Sequence, residues 1–207
     1  MHASRFPGRL VRTVFFLLIM GTAPAALAGQ PIHLPKGERV SFAAMIGDLA
    51  QADIVLVGEH HDNFAHHRAQ QEILSALHGR RPVAVGMEMF PARKDEVLRR
   101  WSRGKIPDFV DFLSDVGWYE VWGVDAALYR PILETIRRHR LPLRGLNVPR
   151  RWIQTIARQG RAGLDAEARE RIGVVAEPSE AYRDSLRESL AAHDREAGAA
   201  EGFIRAQ

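Results

Sequence analysis

The stretch that most constrains this chain is Asp53-Ile54-Val55-Leu56-Val57-Gly58-Glu59-His60-His61-Asp62-Asn63. An apolar, β-branched run ends in a glycine and is followed by polar residues. That pattern predicts a buried strand of a parallel sheet and the loop at its carboxyl end. Ligands of open α/β sheets sit outside the carboxyl ends of the strands, so Glu59, His60 and His61 stand where binding or chemistry is expected. From Phe64 to His78, Ala65, Ala69, Ile73 and Leu77 recur at helical spacing. Asp62 and Asn63 stand ready to cap that helix.

The same logic repeats. Val83-Ala84-Val85-Gly86-Met87-Glu88-Met89-Phe90 is a second strand pattern, with Glu88 near its end. Pro142-Leu143-Arg144-Gly145-Leu146-Asn147-Val148-Pro149 is a third, with Asn147 in the equivalent place. Parallel neighbours of this kind would bring Glu59, His60, His61, Glu88 and Asn147 to one rim. The expected fold is α/β, a mostly parallel sheet flanked by helices. Sheets average about 5–6 strands, so three strand patterns suggest a domain incomplete at the C-terminus, with an uncovered edge prone to association.

The remaining segments predict helices and loops. Ser41 caps a helix bearing Phe42, Met45, Ile46 and Leu49. His66, His67 and His78 read as solvated histidines on or near the following helix. A helix is expected from Pro91 to about Gly104, with Val97 and Trp101 on one face, and a short one from Pro107 to Leu113. Gly117 to Asp125, rich in aromatics and glycine, predicts an aromatic loop. A helix is expected to begin at Arg130-Pro131, another spans Arg150 to Gln159 and closes at Gly160, and charged helical pieces follow Asp165 and Pro178.

Residues 1–28 have the order of a secretory signal: arginines, an apolar run from Val14, then Ala26-Leu27-Ala28 before Gly29. The expectation is an exported protein of the periplasm or cell envelope, with one domain over 29–207. Removing that segment, which holds Arg5, Arg9 and Arg12 and no acid, takes the formal charge from +4 to +1. A nearly neutral chain carries no electrostatic footprint for nucleic acid. Cysteine is absent, which excludes disulfides and thiolate metal sites.

Val57-Gly58-Glu59-His60-His61-Asp62-Asn63, Gly86-Met87-Glu88-Met89-Phe90, and Leu128-Tyr129-Arg130-Pro131-Ile132-Leu133 followed by Leu146-Asn147-Val148-Pro149-Arg150 occur in this order. Together they resemble the ChaN family of haem-binding uptake proteins, within the Tiki superfamily. The resemblance covers roughly residues 35–207. It implies an α/β fold, export, haem binding, and a link to iron uptake through an outer-membrane haem uptake system. The wider superfamily includes proteins that look like metal-dependent hydrolases. Their G-x-x-H turn is matched by Gly58-Glu59-His60-His61 and their glutamate by Glu88, but a later glycine–histidine pair has no counterpart here.

Haem requires an axial ligand, an apolar slot and partners for its propionates. With haem as the expected cofactor, Tyr129 is preferred to Tyr119 as the oxygen ligand, and His60 and His61 are alternative ligands or neighbours. Trp118, Tyr119 and Trp122 supply flat apolar surface. Arg130 or Arg150 would pair with propionates. A slot this open suggests a homodimer sharing the haem. The rival reading is a hydrolase in which Glu59, His61 and Glu88 hold a divalent metal ion.

Overall fold

The computed structural model describes residues 30–173 and 178–191; the signal-like segment lies outside them. The chain divides into two compact units, residues 1–145 and 146–207. Among the described residues no helix is long and apolar enough to cross a membrane.

The first unit opens with a small antiparallel hairpin, β1 (Ile32–His33) and β2 (Glu38–Arg39). Gly37 turns it at φ 64°, a left-handed conformation that favours glycine. Next comes α1 (Phe42–Leu49), capped by the Ser41 side chain as expected. The helix α2 (Phe64–His78) begins at Asn63, whose Oδ1 accepts from the N–H of Ala65 at 2.9 Å. After α2 the chain forms β3 (Val85–Pro91), α3 (Asp95–Ser102), α4 (Phe109–Val116), the single turn α5 (Trp118–Val121) and α6 (Ala126–Arg138). It then enters β4 (Leu143–Asn147).

β3 and β4 form a small parallel sheet flanked by helices. In β3, Met87 and Met89 point inward while Gly86 and Glu88 are exposed, the alternation of a half-covered strand. They join Leu98 and Trp101 of α3, Phe112 and Val116 of α4, and Tyr129, Leu133 and Ile136 of α6 in the main core. On α3 the innermost residues are Leu98 and Trp101, with Val97 only packed at the margin.

Besides α5, which forms inside the expected aromatic loop, two elements differ from expectation. Asp53 to Gly58 forms no strand ladder. Its flanking carbonyls are met by side chains instead: Arg81 Nη1 donates to the carbonyls of Ala50 and Ala52, both at 2.9 Å, and Gln70 Nε2 donates to that of Val57 at 3.3 Å. Val55 leans on the cluster of Met45, Ile46, Leu49, Ile73 and Leu77, while Ile54 and Leu56 are exposed. The second difference is α6, which starts at Ala126 rather than Arg130. Asp125 caps it, accepting from the Ala127 N–H at 2.9 Å, and this earlier cap places Pro131 inside the helix.

The end of β3 lies close against β4. A Cβ at Gly145 would fall 2.5 Å from the carbonyl oxygen of Phe90 and 2.7 Å from that of Pro91. Asp95 adds a clamp, its carboxylate accepting from Gly145 N–H at 2.9 Å and from Arg144 at 3.1 Å. Both obstructing groups are backbone, which cannot swing aside. Gly145→Ala is therefore expected to cost about 1–3 kcal/mol through overpacking. Urea denaturation measures this. Gly58→Ala is the control, because a Cβ there meets nothing within 4 Å.

The second unit contains α7 (Arg150–Gln159), closed by Gly160 at φ 68° as expected, α8 (Ala166–Ile172) capped by Asp165, and α9 (Glu180–Ala191). Its core is Trp152, Ile156, Leu164 and Ala168.

Candidate functional site

The site grows from the loop after the unladdered run and from the way α2 packs along α6. α2 has two working faces. Ala69, Ile73 and Leu77 form one stripe, with Ile73 and Leu77 against α1 residues. His67, Gln71 and Leu74, at i, i+4 and i+7, form another. From this second stripe the His67 ring meets the Tyr129 ring edge-on at 4.4 Å, and Gln71 Nε2 donates to Thr135 Oγ1 at 3.0 Å.

Glu59 is the hub. Its side chain is only 3% exposed. Oε1 accepts from Tyr129 O–H and stands 3.0 Å from His61 Nδ1. Tyr129 Oη in turn accepts from Trp122 Nε1 at 3.1 Å. The Trp122 indole and His61 imidazole then meet edge to face at 4.7 Å, which closes a ring of four side chains.

Donor chemistry fixes the direction of this ring. An indole N–H only donates, so Tyr129 accepts from Trp122 and its hydroxyl hydrogen goes to Glu59. The carboxylate accepts from Tyr129 and, at the same oxygen, from His61 as an Nδ1–H. A neutral His61 then carries a bare Nε2, and its side chain is 49% exposed.

His67 donates through its other ring nitrogen. Its Nε2 lies 3.0 Å from the carbonyl oxygen of His61, which only accepts, so the hydrogen is on Nε2. Its Nδ1 faces Glu59 Oε2 at 3.2 Å. Both atoms are buried and neither has a hydrogen-bond partner. His67, expected on the surface, is 2% exposed. The stripe with Gln71 and Leu74 is the signal in the sequence that marks it.

Burial holds the Tyr129 hydroxyl well above its ordinary pKa of 10.0; the bond to Glu59 and the negative charges of Glu59 and Glu88 push the same way, against the Trp122 N–H. The sign follows. A raised folded value contributes stability that is fully present below about pH 10 and is lost as pH rises through the folded pKa. Stability is thus expected to fall on the alkaline side, and Tyr129→Phe to remove that part of the dependence. Denaturation midpoints on either side of pH 10 measure it.

The expected site residues separate accordingly. Tyr129, preferred as the oxygen ligand, is wholly buried with both roles of its hydroxyl taken. The earlier start of α6 turns it inward. Trp118, expected to offer a flat surface, is 1% exposed, because α5 coils back on the core and its Nε1 donates to Val124 at 2.6 Å. Tyr119, on the other side of that turn, is 63% exposed. Trp122 lies one turn from Tyr119 and is half-buried. His60 is exposed, its backbone N–H donating to His66 Nδ1 at 2.9 Å.

Glu88 is exposed on β3 and acts on Tyr129 by charge. Glu59, His61 and Glu88 are not assembled as a metal site. Among the described residues no group of three His, Cys, Asp or Glu side chains is placed to hold an ion. Arg130 lies over the Phe109 ring at 5.1 Å and pairs with Glu134 at 3.9 Å. Asn147 belongs to the second unit, where its Oδ1 accepts from the N–H of Val148 at 2.8 Å, and Arg150 there begins α7.

The donors fit a haem. An exposed phenol and a bare imidazole nitrogen are both axial ligands for haem iron, and an indole face suits a porphyrin.

Residues 45–207 match the profile of a family described as haem-binding uptake, Tiki superfamily, ChaN. No curated protein matches the chain. A solved structure of ChaN from Campylobacter jejuni, described as showing cofacial heme binding, is similar at a TM-score of 0.67 and 20% identity. The similarity covers 85% of this chain and 69% of that one. At this identity the likeness is one of fold.

Proposed function

The chain belongs to the ChaN family of the Tiki superfamily, and from that premise we propose that it binds ferric haem on the rim formed by Tyr119, Trp122 and His61. The observation that carries this reading is an exposed phenol one turn from a half-buried indole, which itself packs on an imidazole. Tyr119 is the oxygen ligand, because a hard anionic oxygen favours ferric over ferrous iron, as a carrier in transit requires. Trp122 gives the porphyrin a flat apolar contact. Glu59, Tyr129 and His67 stay behind the rim and hold its shape. The haem supplies the iron that is carried; this chain's residues bind it, orient it and keep the ligand hydroxyl apart from the buried one.

The protein works outside the cytoplasm in this reading, in support of haem or iron uptake, with an outer-membrane uptake system as its partner. The signal pattern of residues 1–28 supports export. The openness of the rim supports a homodimer in which a second copy covers the other haem face.

Titration with haemin tests the reading. The purified protein is expected to take up haemin with a tyrosinate-to-iron absorption band. Tyr119→Phe should abolish that band, and Tyr129→Phe should leave it in place. Absence of haemin binding by the unmodified protein overturns the proposal. Mass spectrometry of the exported fraction should give Gly29 as the first residue.

A further inference from the structure

We propose that His78 and His139 form a binding site for a divalent late transition-metal ion, Cu2+ most tightly, at the end of the α2–α6 pair remote from the rim. α2 ends at His78, and His139 is the residue that closes α6. The two imidazoles meet there with ring centroids 4.9 Å apart and planes at 55°. α2 rises about 1.5 Å per residue, so its 15 residues hold His78 about 20 Å from the His61 loop. The inference is independent of the haem reading.

The spacing is that of two ligands on one ion. An ion held about 2.0–2.1 Å from an imidazole nitrogen lies about 3.2 Å from the ring centre, so two rings in adjacent coordination positions stand about 4.5–5.2 Å apart. The observed separation falls inside that window, and the tilt of the planes is not that of a flat stack. His78 Nδ1 is buried without a hydrogen-bond partner. Among the described residues no hydrogen bond or ion pair engages either imidazole. The rings of His61, His66 and His67, by contrast, each have a polar partner. An ion shared with His139 supplies the partner that His78 lacks.

The surroundings select the kind of ion. Arg80 and Arg81 follow His78, and Arg137, Arg138 and Arg140 surround His139 in sequence. Arg81 is committed to the carbonyls of Ala50 and Ala52, and Arg137 to Glu134 and the Trp101 ring. Glu134 also pairs with Arg130. Ca2+ and Mg2+ need oxygen ligands and carboxylate charge, which this end does not offer. Imidazole nitrogen suits Cu2+, Ni2+ and Zn2+, with Cu2+ the tightest of the three. The carbonyl ends of two helices favour a cation there. Water fills the remaining positions. His139 is exposed and His78 half-buried, so the ion has a route from solvent. Bound there, it clasps the two helices that carry His67 and Gln71 against Tyr129 and Thr135.

The test uses the untagged full chain, stripped of metal by a chelator. Cu2+, Ni2+ and Zn2+ should each raise the thermal midpoint, because an ion that binds only the folded chain stabilises it. Cu2+ should give the largest rise, and Ca2+ and Mg2+ none. The electron paramagnetic resonance spectrum with one equivalent of Cu2+ should show two nitrogen ligands. His78→Ala and His139→Ala should each abolish the rise and the two-nitrogen signal, while His66→Ala should keep both.

An unchanged midpoint with Cu2+, or the same two-nitrogen spectrum in both variants, would overturn the assignment. A signal lost in His61→Ala and kept in His139→Ala would place the ion on the rim and overturn it as well. If His78→Ala does not fold, His139→Ala still decides, because that side chain is exposed. None of these results bears on haemin binding.

Discussion

Trp101→Ala is expected to lower the free energy of unfolding by about 3–5 kcal/mol, the range for removing a large buried aromatic. Trp101 has no exposed surface. It stacks on Phe112 with centroids 4.4 Å apart and planes at 25°, and its Nε1 donates to the carbonyl of Leu133 at 3.1 Å. Arg137 covers the ring at 4.7 Å. α3, α4 and α6 all meet on this one side chain, so the hole left by alanine cannot be closed by moving a single neighbour. Domains are stable by only about 5–15 kcal/mol, so a loss of this size leaves a marginal fold. Guanidinium denaturation measures it. Trp101→Phe, which keeps a ring in the stack and loses the hydrogen bond, should cost much less; equal losses would show that the indole N–H, not the volume, matters.

The second large effect is at the hub. Glu59→Leu leaves the buried Tyr129 hydroxyl without its acceptor, a penalty of about 1–3 kcal/mol. Tyr129→Phe alone leaves Trp122 Nε1 and Glu59 short of a partner, with a cost in the same range of about 1–3 kcal/mol. The two changes share one hydrogen bond, so the double variant should cost less than their sum by about 0.5–3 kcal/mol. A double-mutant cycle in urea gives the coupling directly. Additive losses would mean that the Tyr129–Glu59 contact contributes nothing of its own.

Much of the frame was legible where a local rule decides. Ser41 and Asn63 cap because a short polar side chain before an apolar stripe meets the first free N–H groups. The α7 boundaries follow from Gly160, and the family from the order of its motifs. The site was harder because its signals compete. Arg130-Pro131 offers a helix start, but Asp125 offers an earlier one, and with that start Tyr129, Leu133 and Ile136 form a single inward stripe. The strongest strand pattern, Asp53 to Gly58, lacks a ladder because strand formation requires a partner that local sequence cannot guarantee. His67 was easy to miss because a histidine in a polar stretch is usually solvated, and its spacing with Gln71 and Leu74 is a weak signal beside the tertiary neighbours Glu59, Tyr129 and the His61 carbonyl that bury it.

The unladdered run has one more consequence. Glu59 and His61 hang from backbone that Arg81, Gln70 and Val55 hold by side chains, so the loop owes its position to the hydrogen-bonded ring as much as the ring owes its position to the loop. Coupling of that kind is reciprocal. A ligand bound on this rim is therefore expected to slow amide exchange back toward Ile54, and a contact that orders Ile54 and Leu56 to tighten that binding by the same free energy.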